Sequence, residues 1–215
     1  MTPRRHLFFL RRSATRKIDR LRRIVTTATR QTPSRDRDYL ISYVVIETQN
    51  AWSNFARAYY LSAFMSSKRC QGGTMTVPTP PCTIADAIAY ASVFARGGPP
   101  LAPGVTVHRR NEPNWHDPNI LLRLASHLSI SNQLDIAASV SIGTRVFIDL
   151  PVFRNFFAHR NRFSEMAAKR LASYYSVAAT KSPQEIVLSV PAGGHQAVLH
   201  QWLDDIQVIV ELLCD

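Results

Sequence analysis

A chain of 215 residues, 46% of them apolar, is long enough to fold around its own hydrophobic core without depending on disulfides or a structural metal. Its 26 Lys and Arg residues against 15 Asp and Glu residues give a net charge of +11 and a pI near 10.2. Such an excess of cations indicates a polyanionic partner, with nucleic acid preferred to an anionic membrane surface.

The first 37 residues concentrate this charge, because they hold twelve of the 26 cations and only two acids, Asp19 and Asp36. Their arginine-rich start has the composition of a transit peptide, but a basic surface helix is the preferred interpretation. Apolar residues at steps of three and four predict an amphipathic helix: Leu10, Ala14, Ile18, Leu21, Val25 and Ala28. We predict a basic helical arm over residues 1–37 that either docks on the body of the protein or lies along a phosphate backbone.

The next segment, residues 37–66, contains neither Gly nor Pro and is predicted to form one long buried helix. Four polar residues lie within about 80° of one another on this helix: Glu47, Asn50, Asn54 and Arg57. Buried polar groups need partners, so the stripe has two interpretations. It forms a hydrogen-bond network between helices, or it lines a site in which Arg57 or Glu47 faces the substrate.

The remaining chain predicts further helices separated by loops. "TIAD" at 83–86 has the form of a capping box, and Asp117 followed by Pro118 marks another helix start. A shorter helix is expected over 131–143. Another helix is expected to open at "DLP" (149–151), with a break near Asn161. A short turn is expected at 182–185, and a last helix over 195–212. The only strand candidates are residues 104–108 and 185–190. We therefore predict an all-α helical bundle of six to eight helices over residues 38–215.

The cysteines and histidines give no sign of a metal or cofactor site. Cys70, Cys82 and Cys214 have no metal or redox spacing. Cys70 and Cys82 flank a loop and have the option of pairing, but free thiols in a reducing cytoplasm are preferred. The seven histidines show no zinc spacing, and no apolar run reaches the length of a membrane span. The sequence thus predicts a cytoplasmic protein with no metal, no cofactor and no membrane contact.

One stretch, "FRNFFAHRN" at 153–161, combines apolar bulk with titratable and cationic groups. Asn155 and His159 are four residues apart and share a helix face, so the amide is able to bond one ring nitrogen and fix the imidazole tautomer. Arg154 lies about 140° round the helix from His159, so only its length or a partner subunit brings both to one phosphate. Three aromatic residues are expected to anchor the opposite side in the core: Phe153, Phe156 and Phe157.

A histidine and an arginine are the smallest set of groups that can cleave RNA without a metal. The imidazole takes the proton of a 2′-hydroxyl or protonates the leaving oxygen. The guanidinium stabilises the charge that builds on the phosphorus.

The stretch "RNFFAHRN" resembles the signature of the HEPN superfamily, in which an Arg and a polar residue precede a His by several positions. The resemblance implies a HEPN-like helical bundle that forms a homodimer through the motif helix. It also implies a metal-independent endoribonuclease of a toxin–antitoxin or antiviral defence system, with RNA as substrate and an antitoxin or defence protein as partner. Carried over, Arg154 and His159 form the catalytic pair and Asn155 supports them. Arg160 and Arg162 are expected to bind substrate, as are Arg57 and Glu47.

This chain departs from one toxin subgroup of that superfamily, which has a modified tyrosine two positions after the histidine. Asn161 occupies that position here, so control by modification is not expected. Two alternatives to the ribonuclease stay open. One is a non-catalytic nucleic-acid-binding or adaptor module of the same fold, and the other is an unrelated helical protein.

Overall fold

The computed structural model describes residues 1–79, 83–98, 105 and 107–215, and these ranges are mostly helical. They contain nine α-helices: α1 (Leu7–Thr29), α2 (Arg35–Ala63), α3 (Ile84–Arg96), α4 (Pro118–His127), α5 (Gln133–Val140), α6 (Val146–His159), α7 (Arg162–Arg170), α8 (Pro183–Leu188) and α9 (Val198–Cys214). Short 3-10 helices span Arg109–Asn111 and Leu171–Tyr175. The predicted all-α class is confirmed.

Strand structure within the described ranges is limited to one small antiparallel hairpin, which the sequence did not predict. Strand β1 (Ser67–Lys68) pairs with β2 (Thr74–Met75). An isolated parallel bridge joins His6 to Lys68, next to the start of α1.

The described chain divides into two compact units. Unit 1 comprises Met1–Ala14, Trp52–Gly143 and Ile209–Asp215, and unit 2 comprises Thr15–Ala51 and Thr144–Val208. In unit 1, α4 packs on α5 and α3, and in unit 2, α7 packs on α6 and α8. Residue 37, the predicted end of the basic arm, lies within unit 2.

The predicted amphipathic character of α1 is confirmed. Each of the six apolar residues that predicted the helix is at most 2% exposed, whereas the cations at positions 12, 16, 20 and 23 are exposed. The apolar face of α1 is therefore part of the hydrophobic core, as in the first of the two interpretations, and its removal would expose large aliphatic side chains to water.

Several helices begin where local chemistry predicts. The Thr83 side chain accepts a hydrogen bond from the Asp86 N–H at the start of α3, and Asp117 accepts one from the Asn119 N–H at the start of α4. Each of these side chains satisfies a backbone donor that the first turn of a helix leaves unpaired. The predicted break near Asn161 is also confirmed, since α6 ends at His159 and α7 begins at Arg162.

The motif helix begins earlier than predicted. It starts at Val146, whose N–H donates to the Thr144 hydroxyl at 3.1 Å, and Pro151 lies inside the helix. Asp149 is not an N-cap, because its carboxylate is fully buried and paired with Arg145 one turn before it. The Asp-then-Pro signal was therefore misleading at this position.

Three further expectations need correction or lie outside the described residues. The strand candidate at 185–190 is wrong, because a capping box between Ser182 and Glu185 starts helix α8 there. With α8, eight α-helices (α2 to α9) lie in the described residues beyond the arm, which agrees with the six to eight predicted for residues 38–215. The candidate at 104–108 falls partly on residues outside the described ranges, as does Cys82. Cys70 and Cys214 carry free thiols, as predicted, and the last helix begins at Val198, three residues later than predicted.

Candidate functional site

The apolar side of the motif helix α6 is buried, as the sequence predicts. Phe153, Phe156 and Phe157 are 0%, 7% and 4% exposed. The Phe153 ring packs against Trp202 of α9, with ring centroids 5.4 Å apart. These aromatic contacts fix the rotation of α6 and leave its opposite face toward solvent.

A buried polar network, which the sequence reasoning missed, anchors the first turn of α6. Both oxygens of Asp149 accept hydrogen bonds from Arg145 at 2.9 Å. The Tyr175 hydroxyl donates to Asp149 Oδ2 at 2.6 Å and accepts from Trp202 Nε1 at 3.2 Å. Arg145 also lies 3.8 Å above the Tyr174 ring. Because Tyr175 and Trp202 come from distant segments, spacing along the sequence could have revealed only the Arg145–Asp149 pair, which is four residues apart.

This network perturbs the acidity of its members. Burial raises the pKa of Tyr175 above its ordinary value, and the hydrogen bond to Asp149 raises it further. The same carboxylate raises the pKa of Arg145. Both shifts favour the forms that donate to the buried carboxylate, so the network is stable as a fully hydrogen-bonded unit.

The predicted polar motif residues lie on the exposed side of α6. Asn155 and His159 are both exposed and share one face, since they are one turn apart. No hydrogen bond joins them in the part of the chain that the structure describes, so the expected fixing of the imidazole tautomer is not seen. His159 is the last residue of α6, and its ring makes no hydrogen bond or ring contact with any described residue.

Arg154 occupies a different position from the other motif residues. It is half-buried, and its Nε is inaccessible to solvent and has no hydrogen-bond partner among the described residues. By helix spacing it lies about 140° from His159. Within one copy of the chain, α6 therefore presents Asn155 and His159 together and Arg154 separately.

The two arginines that follow the motif differ in their contacts. Arg160 ends α6 in the left-handed region (φ 48°), donates to the Ser42 hydroxyl at 2.9 Å and lies 5.3 Å from the Tyr39 ring centroid. Arg162 is exposed at the start of α7, and no described residue pairs with its side chain. Of the two, Arg162 is the more available to a phosphate.

Asn161 has a structural role in the same segment. Its side-chain oxygen accepts a hydrogen bond from the Ser164 N–H at 2.8 Å and caps α7. Asn161 thus forms the junction between α6 and α7.

The polar stripe on α2 is satisfied by protein partners. In unit 2, Glu47 pairs with Lys17 at 2.5 Å and accepts from Asn50 at 2.9 Å. The hydrogen bond from Lys17, assisted by Asn50, holds the pKa of Glu47 below its ordinary value despite opposing burial. These contacts match the network interpretation, and a role of Glu47 in substrate binding stays a prediction.

The second half of the stripe, in unit 1, is satisfied in the same way. Arg57 makes a two-pronged ion pair with Glu112, at 2.5 and 2.9 Å, and Arg109 donates to Asn54 at 2.5 Å. Burial opposes ionisation of Glu112, but hydrogen bonds from Arg57 and Trp115 outweigh it and hold its pKa below the ordinary value. Arg57 therefore has a strong protein partner, and its role in substrate binding also stays a prediction.

A row of exposed arginines follows the outer face of α1. Exposed arginines recur at steps of four, four and three residues: Arg12, Arg16, Arg20 and Arg23. By contrast, Arg22 on the flank of this row pairs with Asp19 and Asp204 at 2.7 Å. Steps of three and four place the exposed guanidinium groups on one side of the helix, about 6 Å apart along its axis for each step of four.

Neither a metal site nor a membrane span emerges from the described residues. They contain no group of three or more His, Cys, Asp or Glu side chains placed to hold a metal ion. None of the helices described is both long and apolar enough to cross a membrane. No protein-family model, curated protein or solved structure matches this chain.

Proposed function

We propose that this chain is a metal-independent endoribonuclease of the HEPN type, with His159 as its acid–base residue. The observation that carries the proposal is the position of His159 at the exposed end of α6. Its ring has no described protein partner, so both nitrogens are available for proton transfer. Arg162, exposed and without a described partner three residues later, adds a cation suited to a phosphate of the same strand.

The proposed reaction needs only groups of the protein and the RNA. The RNA 2′-oxygen attacks the adjacent phosphorus, the bond from phosphorus to the 5′-oxygen breaks, and a 2′,3′-cyclic phosphate forms. His159 takes the proton of the 2′-hydroxyl or supplies the proton to the departing 5′-oxygen. Arg154 stabilises the negative charge on the non-bridging oxygens, and Asn155 contacts the substrate or the ring of His159.

The separation of Arg154 and His159 round α6 supports a homodimer through the motif helix. One copy of the helix presents the two side chains on different faces, so two facing helices are better suited to bring both to one phosphate. Ile148 lies on the same exposed face as Asn155 and His159 and is 63% exposed. Phe163, at the start of α7, is 83% exposed. Covering these apolar side chains would favour association.

The biological setting is proposed from the motif alone. The intact Arg-Asn-x-x-x-His pattern resembles that of toxin–antitoxin and antiviral ribonucleases, so we propose such a setting here, with an antitoxin or defence protein as partner. Control by tyrosine modification is not part of the proposal, because Asn161 occupies the relevant position and caps α7.

The test is RNA cleavage in EDTA by the wild type, His159→Ala and a matched control. His195→Ala is a suitable control because His195 is also an exposed histidine of unit 2. We expect His159→Ala to lose about 10²–10⁴-fold in rate and His195→Ala to retain wild-type activity. Equal loss in both variants, or equal activity in all three proteins, would contradict the role of His159.

A second candidate function, RNA binding without cleavage, is favoured by the exposed arginine row on α1. A row of this kind contacts the phosphate backbone of RNA whatever the base sequence, and this contact involves no catalytic step. The missing bond between Asn155 and His159 also fits this candidate. It predicts salt-sensitive RNA binding by the wild type and no cleavage under any condition in which the wild type is folded.

A further inference from the structure

A second cationic site lies in unit 1, where the β1–β2 hairpin meets the start of α1. A pocket of about 420 Å³ is lined by His6, Lys68, Arg69, Cys70, Gly72, Gly73 and Thr74. This volume falls within the range of small-ligand sites. Two cations and a histidine face it, and no Asp or Glu among the described residues lines it, so the pocket favours an anion.

The polar groups of the pocket retain hydrogen-bonding capacity that the protein does not use. Lys68 is exposed, and no described residue pairs with its ammonium group. Arg69 pairs with Asp135 through Nη2 at 2.8 Å, and its Nε is inaccessible to solvent and has no partner among the described residues. The Nδ1 atom of His6 accepts a hydrogen bond from the Phe8 N–H at 3.2 Å. Nε2 is therefore the ring nitrogen that carries the proton and donates.

The backbone of the hairpin loop leaves room for a ligand. Gly72 and Gly73 have φ values of +103° and +79°, and nothing lies within 4 Å of a Cβ built on either residue. The loop is closed by a hydrogen bond from the Arg69 N–H to the Gly73 carbonyl at 3.2 Å. Glycine permits both this backbone conformation and the close approach of a ligand to the main chain.

Two exposed aromatic rings lie beside His6, one of the residues that line the pocket. Phe8 and Phe9 are 40% and 54% exposed, whereas most other apolar residues of α1 are buried. Their ring centroids lie 6.2 and 6.1 Å from that of His6. Exposed aromatic rings beside cations are the usual arrangement for stacking the bases of single-stranded nucleic acid.

We propose that this pocket binds the terminal phosphate of a nucleotide, while Phe8 and Phe9 stack against its base. The ligand is a nucleoside monophosphate, either free or as the phosphorylated end of an RNA strand. A phosphate monoester carries a charge of about −1.5 to −2 at pH 7, which suits two cations and a histidine donor better than the single charge of an internal phosphodiester. The proposal concerns binding in unit 1 and does not rest on cleavage by His159.

The test compares the binding of short single-stranded RNAs that differ only at their ends. The strands carry 2′-O-methyl sugars, which cannot be cleaved through the 2′-oxygen, so the result is independent of the proposed ribonuclease activity. Fluorescence anisotropy gives the Kd for a 5′-phosphorylated, a 3′-phosphorylated and an unphosphorylated strand. We expect at least one phosphorylated strand to bind about tenfold more tightly than the unphosphorylated strand, as for a charge-assisted contact.

Exposed residues supply variants that leave the fold intact. Lys68→Ala should remove most of the preference for the phosphorylated strand, whereas Lys181→Ala, which removes an exposed lysine of unit 2, should retain it. The double variant Phe8→Ala/Phe9→Ala should raise the Kd of every strand by about fivefold or more. Leu134→Ala, which removes a side chain that is 78% exposed in unit 1, should bind as the wild type does.

Competition by a free nucleoside monophosphate separates the two sources of the ligand. Displacement of the labelled strand by the free nucleotide at comparable concentration supports a nucleotide site, and displacement only by a phosphorylated strand supports recognition of RNA ends. The proposal is overturned if all three strands bind equally to the wild type, or if Lys68→Ala and Lys181→Ala behave alike.

Discussion

The substitution Tyr175→Phe tests whether the buried network at Asp149 holds the motif helix in place. Tyr175 is 7% exposed and Asp149 is fully buried, so water cannot replace the hydroxyl that bridges them. The variant loses the hydrogen bond to the Arg145–Asp149 pair and leaves Trp202 Nε1 without its acceptor. A hydrogen bond to a charged group and one unsatisfied buried donor together give a loss of roughly 2–4 kcal/mol in the free energy of unfolding.

Urea unfolding followed by circular dichroism measures this loss, and Tyr174→Phe provides the matched control. Tyr174 is 63% exposed, and it holds Arg145 through its ring, which phenylalanine retains. We expect Tyr174→Phe to change the free energy of unfolding by less than about 0.5 kcal/mol. If Tyr175→Phe is as stable as Tyr174→Phe, the network does not stabilise α6 in the way described.

The pH dependence of the stability difference between the wild type and Tyr175→Phe gives an independent check. The pKa of Tyr175 is raised in the folded protein above its ordinary value of 10.0. The bridging hydroxyl therefore contributes its full stability below pH 10 and loses it as the pH rises further. The difference in stability between the wild type and Tyr175→Phe should accordingly shrink above pH 10.

Three further predictions concern other parts of the chain. Glu112→Gln should lower the free energy of unfolding by about 1–3 kcal/mol at pH 7. Because the pKa of Glu112 is depressed from 4.5, this difference in thermal unfolding is full above pH 4.5 and should shrink as the pH falls below it; a difference that does not shrink with falling pH would contradict it. Asn161→Ala should cost about 1 kcal/mol through the lost cap of α7, and no loss in urea unfolding would exclude that role. Replacing Arg16, Arg20 and Arg23 with Gln should reduce the slope of log affinity against log salt by about two for single-stranded RNA, and an unchanged slope would remove α1 from the RNA interface.

The residues that the sequence predicted well are those whose structure is set by near neighbours. The apolar spacing of α1 predicted its buried face because helix period alone places Ile18 beside Leu21. Thr83 and Asp117 predicted helix starts because a cap acts over two or three residues. The aromatic side of the motif helix was predicted for the same reason.

The misses arise where distant segments decide the outcome. Asp149 has the local pattern of an N-cap. Its carboxylate instead accepts hydrogen bonds from the guanidinium of Arg145 and from the hydroxyl of Tyr175, which is 26 residues away. The phosphate pocket could not be predicted either, because a bridge between His6 and Lys68 assembles it from two remote segments. Only the exposed pair "FF" at positions 8 and 9, out of phase with the buried face of α1, was available as a signal.

The most direct test of the central claim is the chemistry of the RNA ends that the wild-type protein leaves in EDTA. Attack by the 2′-oxygen predicts products with a 2′,3′-cyclic phosphate or a 3′-phosphate on one fragment and a 5′-hydroxyl on the other, with no need for a divalent metal. Products with 3′-hydroxyl and 5′-phosphate ends, or cleavage that EDTA abolishes, would contradict the assignment of His159 to metal-independent acid–base chemistry.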